Sequence, residues 1–344
     1  MNGPLDITAA ALVSAAQGPL TEVAQDILDG TAYFERHPTY LGHDGLPQTC
    51  ATVAGCADQV DPVTRLAYLL TQAHRQLMQG APPDLRGDAD RVLFLALPAW
   101  LAKQSGFLSR FEQQVSGLGI SNIRYHFGGP IAGLQAIAAA QAALSTAECT
   151  DALVAGIDTM VAPMLLDARA LAGLANTKAN SYGAIPGEAG AMLLMRRAEP
   201  DADERAGAQG AVARLMSCAI QPEPQRLDDP SRGIIGTGLV NSIKEARRIA
   251  GARGADMLIS DFNGERFRAE ELGMIGAHFG EEALHEPFCP AASIGEIGAA
   301  TSIAYCCLAA YANAGTAATQ EALIAISDRT DLRGALCVAR ARRA

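Results

Sequence analysis

The sequence has no uninterrupted apolar run long enough to cross a bilayer, so nothing in it reads as a helical membrane span. Its first apolar run, Ile7 to Ala15, lacks a basic flank and follows Asp6, which fits a first strand in a cytoplasmic protein rather than a signal segment. Positive charge is in deficit. Against 37 acidic residues stand 27 basic ones, and a net charge of −10 repels nucleic acid and anionic membrane as partners. The eight cysteines (Cys50, Cys56, Cys149, Cys218, Cys289, Cys306, Cys307 and Cys337) include no CxxC or zinc spacing, and they read as reduced, mostly buried thiols. Gly233 to Gly238 has the glycine content of an anion loop but fits neither a dinucleotide nor a Walker spacing, so a turn is the reading. No cofactor or metal is expected.

What is present is a large apolar fraction, 49%, with 19% charged residues over 344 positions, which suits a compact α/β protein of two domains or one duplicated architecture. Gly128-Gly129-Pro130 runs into Ile131-Ala132-Gly133-Leu134-Gln135-Ala136-Ile137 and on to Leu144, uncharged and apolar on nearly every face. That composition predicts a buried helix. Pro130 marks its start, because a first helical residue has no intrahelical use for its N–H. Strands are expected at Asp6–Ser14, Asp90–Ala99 and Asp151–Asp158, with helices at Leu20–Leu28 and from Asp61-Pro62 to about Met78. The segment between Leu28 and Gly55 reads as loop. Glu199 to Gln209, charged and without large apolar residues, is the expected linker, dividing the chain into halves 1–205 and 206–344. The second half should hold strands at Ala211–Ile220, Met257–Phe262, Ala322–Ser327 and Ala335–Arg340, with helices at Asn241–Ala252 and Ala299–Ala312.

GPIAGLQAI resembles the nucleophile helix of the thiolase superfamily, and of β-ketoacyl synthases in particular, with Pro130 where a cysteine is usual. Three further stretches resemble the same family in the expected order: Asp61-Pro62 with Arg65-Leu66-Ala67, Ala152 to Asp158, and Ile185-Pro186-Gly187-Glu188-Ala189-Gly190-Ala191. The resemblance implies a duplicated αβαβα fold. It also locates the family's two histidines: Ser260 to Glu265 is similar to the strand end carrying the first, which places Asn263 there. Ser293 to Ala300 is similar to the turn carrying the second, which falls on Gly295 or Glu296 according to a one-residue register choice. An amide, a glycine or a carboxylate cannot replace imidazole as a neutral-pH proton shuttle. The family's glycine-rich loop falls on Ser327 to Gly334, here charged, and Pro130 has no N–H for an oxyanion.

Outside the resemblance, these residues have plainer readings. Pro130 is an ordinary helix start, Asn263-Gly264 a turn dipeptide, and Glu296 a carboxylate at a helix start. His126 and Cys289 are the residues a replacement mechanism could use, yet a structural histidine and a buried inert thiol are the preferred assignments. Cys306 and Cys307 suit core packing. The resemblance therefore implies a catalytically degenerate protein that binds a partner. Its models are the chain-length-factor subunits that pair with active ketosynthases, and thiolase-like accessories of type VI secretion that meet an effector or spike protein. A homodimer through Ser121–Tyr125 is expected. The competing class is an enzyme handling acyl thioesters by another route.

Overall fold

The computed structural model describes residues 3–42, 44–82, 91–178, 180–198, 211–229, 231, 233, 235–251, 255–280, 287–311 and 321–340. In chain order the elements are β1 (Leu5–Val13), α1 (Leu20–Leu28), β2 (Glu35–Leu41), β3 (Pro47–Cys50), α2 (Pro62–Gly80), β4 (Val92–Pro98), α3 (Ala99–Lys103), α4 (Phe107–Val115), β5 (Asn122–Gly128) and α5 (Ile131–Ser145). There follow β6 (Asp151–Thr159), α6 (Pro163–Leu171), β7 (Glu188–Arg197), β8 (Ala213–Pro222), α7 (Thr237–Ala250), β9 (Met257–Ser260), α8 (Arg266–Phe279), α9 (Ala291–Ile294), α10 (Thr301–Tyr311), β10 (Glu321–Ser327) and β11 (Leu332–Arg340). The expected linker at 199–209 lies outside the described residues.

Nine strands form one mixed sheet in the order β5-β4-β6-β7-β1-β8-β11-β10-β9. The order repeats about its centre. Inward from one side it runs β4, β6, β7, β1, and from the other β9, β10, β11, β8, with the last strand of each series, β1 and β8, meeting at Leu5↔Leu215. The outermost strand β5 has a one-residue counterpart, a parallel bridge from Phe288 to Ile259. β4 is parallel to β5 and β6, as its helical crossovers require, while β7 and β1 add on antiparallel.

Alternation along the strands sorts side chains into three cores. Leu153, Ala155 and Ile157 of β6 face outward onto Leu66, Leu69 and Leu70 of α2, whereas Ala152 and Val154 face inward onto α5 and α10. In the second half, Ala335 and Cys337 face outward onto Leu239 and Ile243 of α7, and Leu336 and Val338 face inward. Helix, one half of the sheet, central helices, the other half of the sheet, helix is the five-layer αβαβα arrangement. A helix between two sheets needs an apolar surface all round, and α5 buries residues on every side. α5 and α10 approach closely because residue 133 is glycine; a Cβ there would stand 2.7 Å from Ser302 Cβ.

The segment after α1 is not loop but the hairpin β2–β3, whose first strand exposes most of its residues and turns inward only His37 and Tyr40. The helix expected from Asn241 starts at Thr237, after Gly236 at φ 116°. The strand expected to reach Phe262 ends at Ser260.

Candidate functional site

A cavity of about 380 Å³ lies where β4 and β6 end and where α5 and α10 begin. One side of its wall is apolar, including Pro98, Trp100, Met160, Leu165 and Leu174, and the other carries Asp158, Arg169, Arg268, Glu296, Asp328 and Arg329. Pro130 is in the wall, with helical angles of −54° and −32°, so the first helical amide is that of Ile131. That amide is occupied. Ile131 N–H donates to Asp328 Oδ2 at 3.2 Å, and Thr330 N–H donates to Asp328 Oδ1 at 3.0 Å. Gly129 makes room, since a Cβ would stand 2.8 Å from the same Oδ2. Ser302 Oγ donates to the Pro130 carbonyl at 2.5 Å and ties the two central helices at the site.

The start of the α10 segment is closed by a second carboxyl. Asp158, the last residue but one of β6, accepts from Ala299 N–H at 2.8 Å. Burial pushes its pKa up to about 8, Glu296 adds to the shift, and the Ala299 and Thr159 amides and Arg169 oppose it. Glu296 itself is 9% exposed and receives Arg169 Nη2 on Oε2 at 2.8 Å, while Arg169 Nη1 reaches Met160 Sδ at 3.2 Å.

Gly295 and Glu296 differ in what they offer the cavity. Gly295 has φ 72° and a Cβ there would lie 2.9 Å from the Ile185 carbonyl, so the residue that presents a side chain to the cavity is Glu296. Asn263 is not among the cavity-lining residues. Its Oδ1 accepts from Glu265 N–H at 3.1 Å and shapes the turn into α8. Neither His126 nor Cys289 lines the cavity. Burial, then Arg124, holds the His126 imidazole below its ordinary value, and burial, then Asp261, pushes the Cys289 thiol up to about 11. At neutral pH that sulfur keeps its proton.

Two buried ion-pair clusters near the cavity are assembled by the fold, and their pairings cannot be read from the sequence. Arg268 on α8 bonds Asp261, Glu265 (3.1 Å) and the Ser327 carbonyl (3.0 Å), and Arg329 bonds Glu265 in turn. Burial pushes Asp261 up to about 7; it also pushes Glu265 up, but Arg268 and Arg329 outweigh it there and hold that carboxyl below its ordinary value. Burial raises Glu271 despite its pair with Arg333. The charged loop Ser327–Gly334 is divided: Asp328 and Arg333 are buried, whereas Arg329, Thr330 and Asp331 are exposed. The motifs Arg65-Leu66-Ala67 and Pro186-Gly187-Glu188 prove to be one feature. Arg65 Nε and Nη2 grip both Glu188 oxygens at 2.9 and 2.8 Å, and Thr159 Oγ1 donates to Glu188 at 2.8 Å, which fixes the end of β6 under the cavity.

No protein-family model matches the chain, and no curated protein matches it in sequence. Solved structures match in shape. The ishigamide ketosynthase/chain length factor superposes with a TM-score of 0.74 at 17% identity, covering 98% of this chain and 99% of that one. A type II PKS acyl-carrier protein in complex with its ketosynthase gives 0.74 at 13%, covering 100% of both chains. A β-ketoacyl synthase from Burkholderia phymatum STM815 gives 0.72 at 13%, covering 99% and 100%. The chain has the duplicated, thiolase-like fold of ketosynthases and chain length factors.

Proposed function

We propose that this is a non-catalytic member of the ketosynthase fold that acts through a protein partner. One observation carries the reading: at the start of α5 the thiol position is Pro130, and the first free amide is held by Asp328. A helix start that would favour a thiolate or receive an oxyanion is closed by a carboxylate of the same chain. Asn263 and Glu296 take the places of the two histidines, and their bonds to Glu265 and Arg169 are structural.

A protein partner is supported by where apolar surface is left. Of six exposed large hydrophobic side chains among the described residues, Leu41 and Leu46 lie on the β2–β3 hairpin and Met164 and Leu171 on α6. The two elements are joined by Tyr40 Oη donating to Asp167 at 2.8 Å. The full-length match to the ishigamide ketosynthase/chain length factor favours a ketosynthase-like subunit as that partner. A secretion effector or spike protein remains the alternative, on the sequence resemblance alone. We place the boundary between the halves at 205/206, between β7 and β8, and a self-association surface at the half-buried edge strand β5.

Incubation with acyl-CoA or acyl-carrier protein followed by intact-mass measurement tests the absence of chemistry. No adduct is expected; a stable adduct lost in Cys289→Ala overturns the reading. Light scattering at micromolar concentration tests association, and a monomeric mass counts against the β5 surface.

A further inference from the structure

β2 and β3 form a two-stranded sheet apart from the nine-stranded one, and such a pair is only marginally stable by itself. Its hold on the rest of the chain therefore matters. β2 turns inward only His37 and Tyr40, and each bonds a residue outside the hairpin. Tyr40 Oη donates to Asp167 of α6 at 2.8 Å, and His37 Nε2 meets the carbonyl of Val161, two residues before α6, at 3.1 Å. The two rings pack edge to face with centroids 6.0 Å apart. From β3, Gln48 Nε2 reaches the Asn176 carbonyl at 3.1 Å, which gives that strand a hold of its own and leaves β2 to His37 and Tyr40. His37 thus ties together the two elements that carry Leu41, Leu46, Met164 and Leu171.

The ring is fixed in one tautomer. The Tyr40 and Thr39 amides donate to Nδ1 at 2.9 and 3.3 Å, so Nδ1 carries no proton and Nε2 carries the one it donates to Val161. An imidazolium has an N–H on both nitrogens, and its Nδ1–H would face two backbone donors. The ring is buried, so water cannot relieve that opposition. The charged groups that bear on it are Arg65 of α2, Glu188 of β7 and Glu35 of β2, with Asp167 of α6 beyond Tyr40. Arg65 and Glu188 are spent on each other at 2.8 Å. We infer that His37 is a pH-sensitive latch: protonation of its ring releases β2 from α6 and takes apart the exposed apolar surface that the two elements share. The consequence for partner capture rests on the partner reading above, whereas the release itself does not.

Acid is the releasing direction. Burial holds the latched ring below its ordinary 6.5 and Arg65 adds to the shift, against the Val161 carbonyl, Glu188 and Glu35. The released ring titrates as an ordinary histidine. The latched state is therefore fully favoured above 6.5 and loses ground as pH falls below it towards the latched value, by at most about tenfold per pH unit.

Amide hydrogen exchange on the full chain, expressed relative to the intrinsic rate at each pH, reads the release. Protection of the Thr39 and Tyr40 amides should fall about tenfold between roughly pH 7.5 and pH 5, and a flat or rising profile overturns the latch. Tyr40→Phe removes the bond to Asp167 and should lower protection at every pH while keeping the same step; a step lost there belongs to Asp167 and overturns the assignment. His37→Asn keeps a side-chain acceptor for the Tyr40 amide, does not titrate and should abolish the step. A step that persists in that variant, which retains His43, overturns it as well. If His37→Asn does not fold, the nitrogen-15 shifts of the wild-type imidazole decide. A ring protonated on Nε2 alone at neutral pH, ionising in step with the lost protection, supports the latch; a proton on Nδ1, or ionisation without loss of protection, sinks it. A flat profile in a chain that captures a partner overturns the latch and leaves the partner reading standing, whereas a stepped profile in a chain that captures none supports the latch and counts against that reading.

Discussion

The two central helices begin in the same way and are closed by equivalent residues. Asp328 follows β10 and takes the Ile131 amide of α5, while Asp158 ends β6 and takes the Ala299 amide at the start of the α10 segment. β6 and β10 hold the same place in the repeated strand order, so each half supplies the carboxyl that closes the other half's helix. The difference is in surroundings. Both carboxyls line the cavity and each accepts from two amides, but Gly298 is pressed onto Asp158, whose pKa burial pushes up to about 8, whereas Gly129 leaves Asp328 more room. A duplicated fold that carries chemistry must differ at these two points. Here, under the proposed reading, the site at α5 has become a second copy of the structural joint at α10.

The comparison breaks most readily at the tighter joint. Gly298 has φ 49° and a Cβ on it would overlap Asp158 Oδ2, a carboxyl that burial prevents from moving aside. Gly298→Ala should cost roughly 2–4 kcal/mol from combined strain and overpacking. Gly129→Ala, whose Cβ meets Asp328 at 2.8 Å, should cost about 1–2 kcal/mol. Urea denaturation measures both, and equal losses would mean that the two joints are equally tight.

The joints should also differ in their response to pH. A folded value of about 8 against an ordinary 3.8 means that the folded chain holds the Asp158 proton more tightly than the unfolded chain does. The stability this contributes is fully present below pH 3.8 and is lost as pH rises through about 8. Asp158→Asn should remove on the order of 2 kcal/mol or more of that decline between pH 4 and 8. Asp328→Asn instead sets an NH₂ against one of two backbone donors and should destabilise by about 1–2 kcal/mol at every pH. Chemical denaturation at pH 5 and pH 8 separates them; an unchanged slope in Asp158→Asn would remove the contrast.

The sequence shows one joint better than the other, for physical reasons. α5 is legible because a nearly all-apolar, uncharged run behind Gly-Gly-Pro suits a helix enclosed on every side. Glu188 and Arg65 are legible as motifs, but their pairing depends on the fold. Asp328 is not legible: Ser-Asp-Arg-Thr-Asp-Leu-Arg reads as a solvated loop, and only the approach of α5 buries it. α8 is not legible, because its inward residues include Arg268 and Glu271, which obscures the apolar periodicity that marks a helix. The β2–β3 hairpin reads as loop because so few side chains of β2 face inward.

A smaller effect is expected from placing a thiol at residue 130. Pro130→Cys returns a sulfur and an N–H to the start of α5, but Asp328 still holds the neighbouring amide and Asn263 and Glu296 still offer no imidazole. Condensation activity should stay at background, and robust turnover by this single variant would show that the histidine positions are misplaced.

The smallest effect should come from Pro130→Ala, and its smallness is informative. Proline at a helix start gives up a donor the helix does not use and fixes a φ that residue 130 already adopts, at −54°. Alanine keeps the carbonyl that Ser302 bonds and adds an amide beside a cavity able to admit water. The expected loss is below about 1 kcal/mol, from the greater freedom of the unfolded chain. Association with a partner should be unchanged, because the substitution lies inside the cavity wall and not on the hairpin and α6 surface. Leu41→Ser with Leu171→Ser should do the opposite, leaving the unfolding midpoint nearly fixed while weakening partner capture, since both side chains are exposed at 60% and 80%. A Pro130→Ala chain that loses its partner while the Leu41 and Leu171 variant keeps it would place the working surface in the cavity after all.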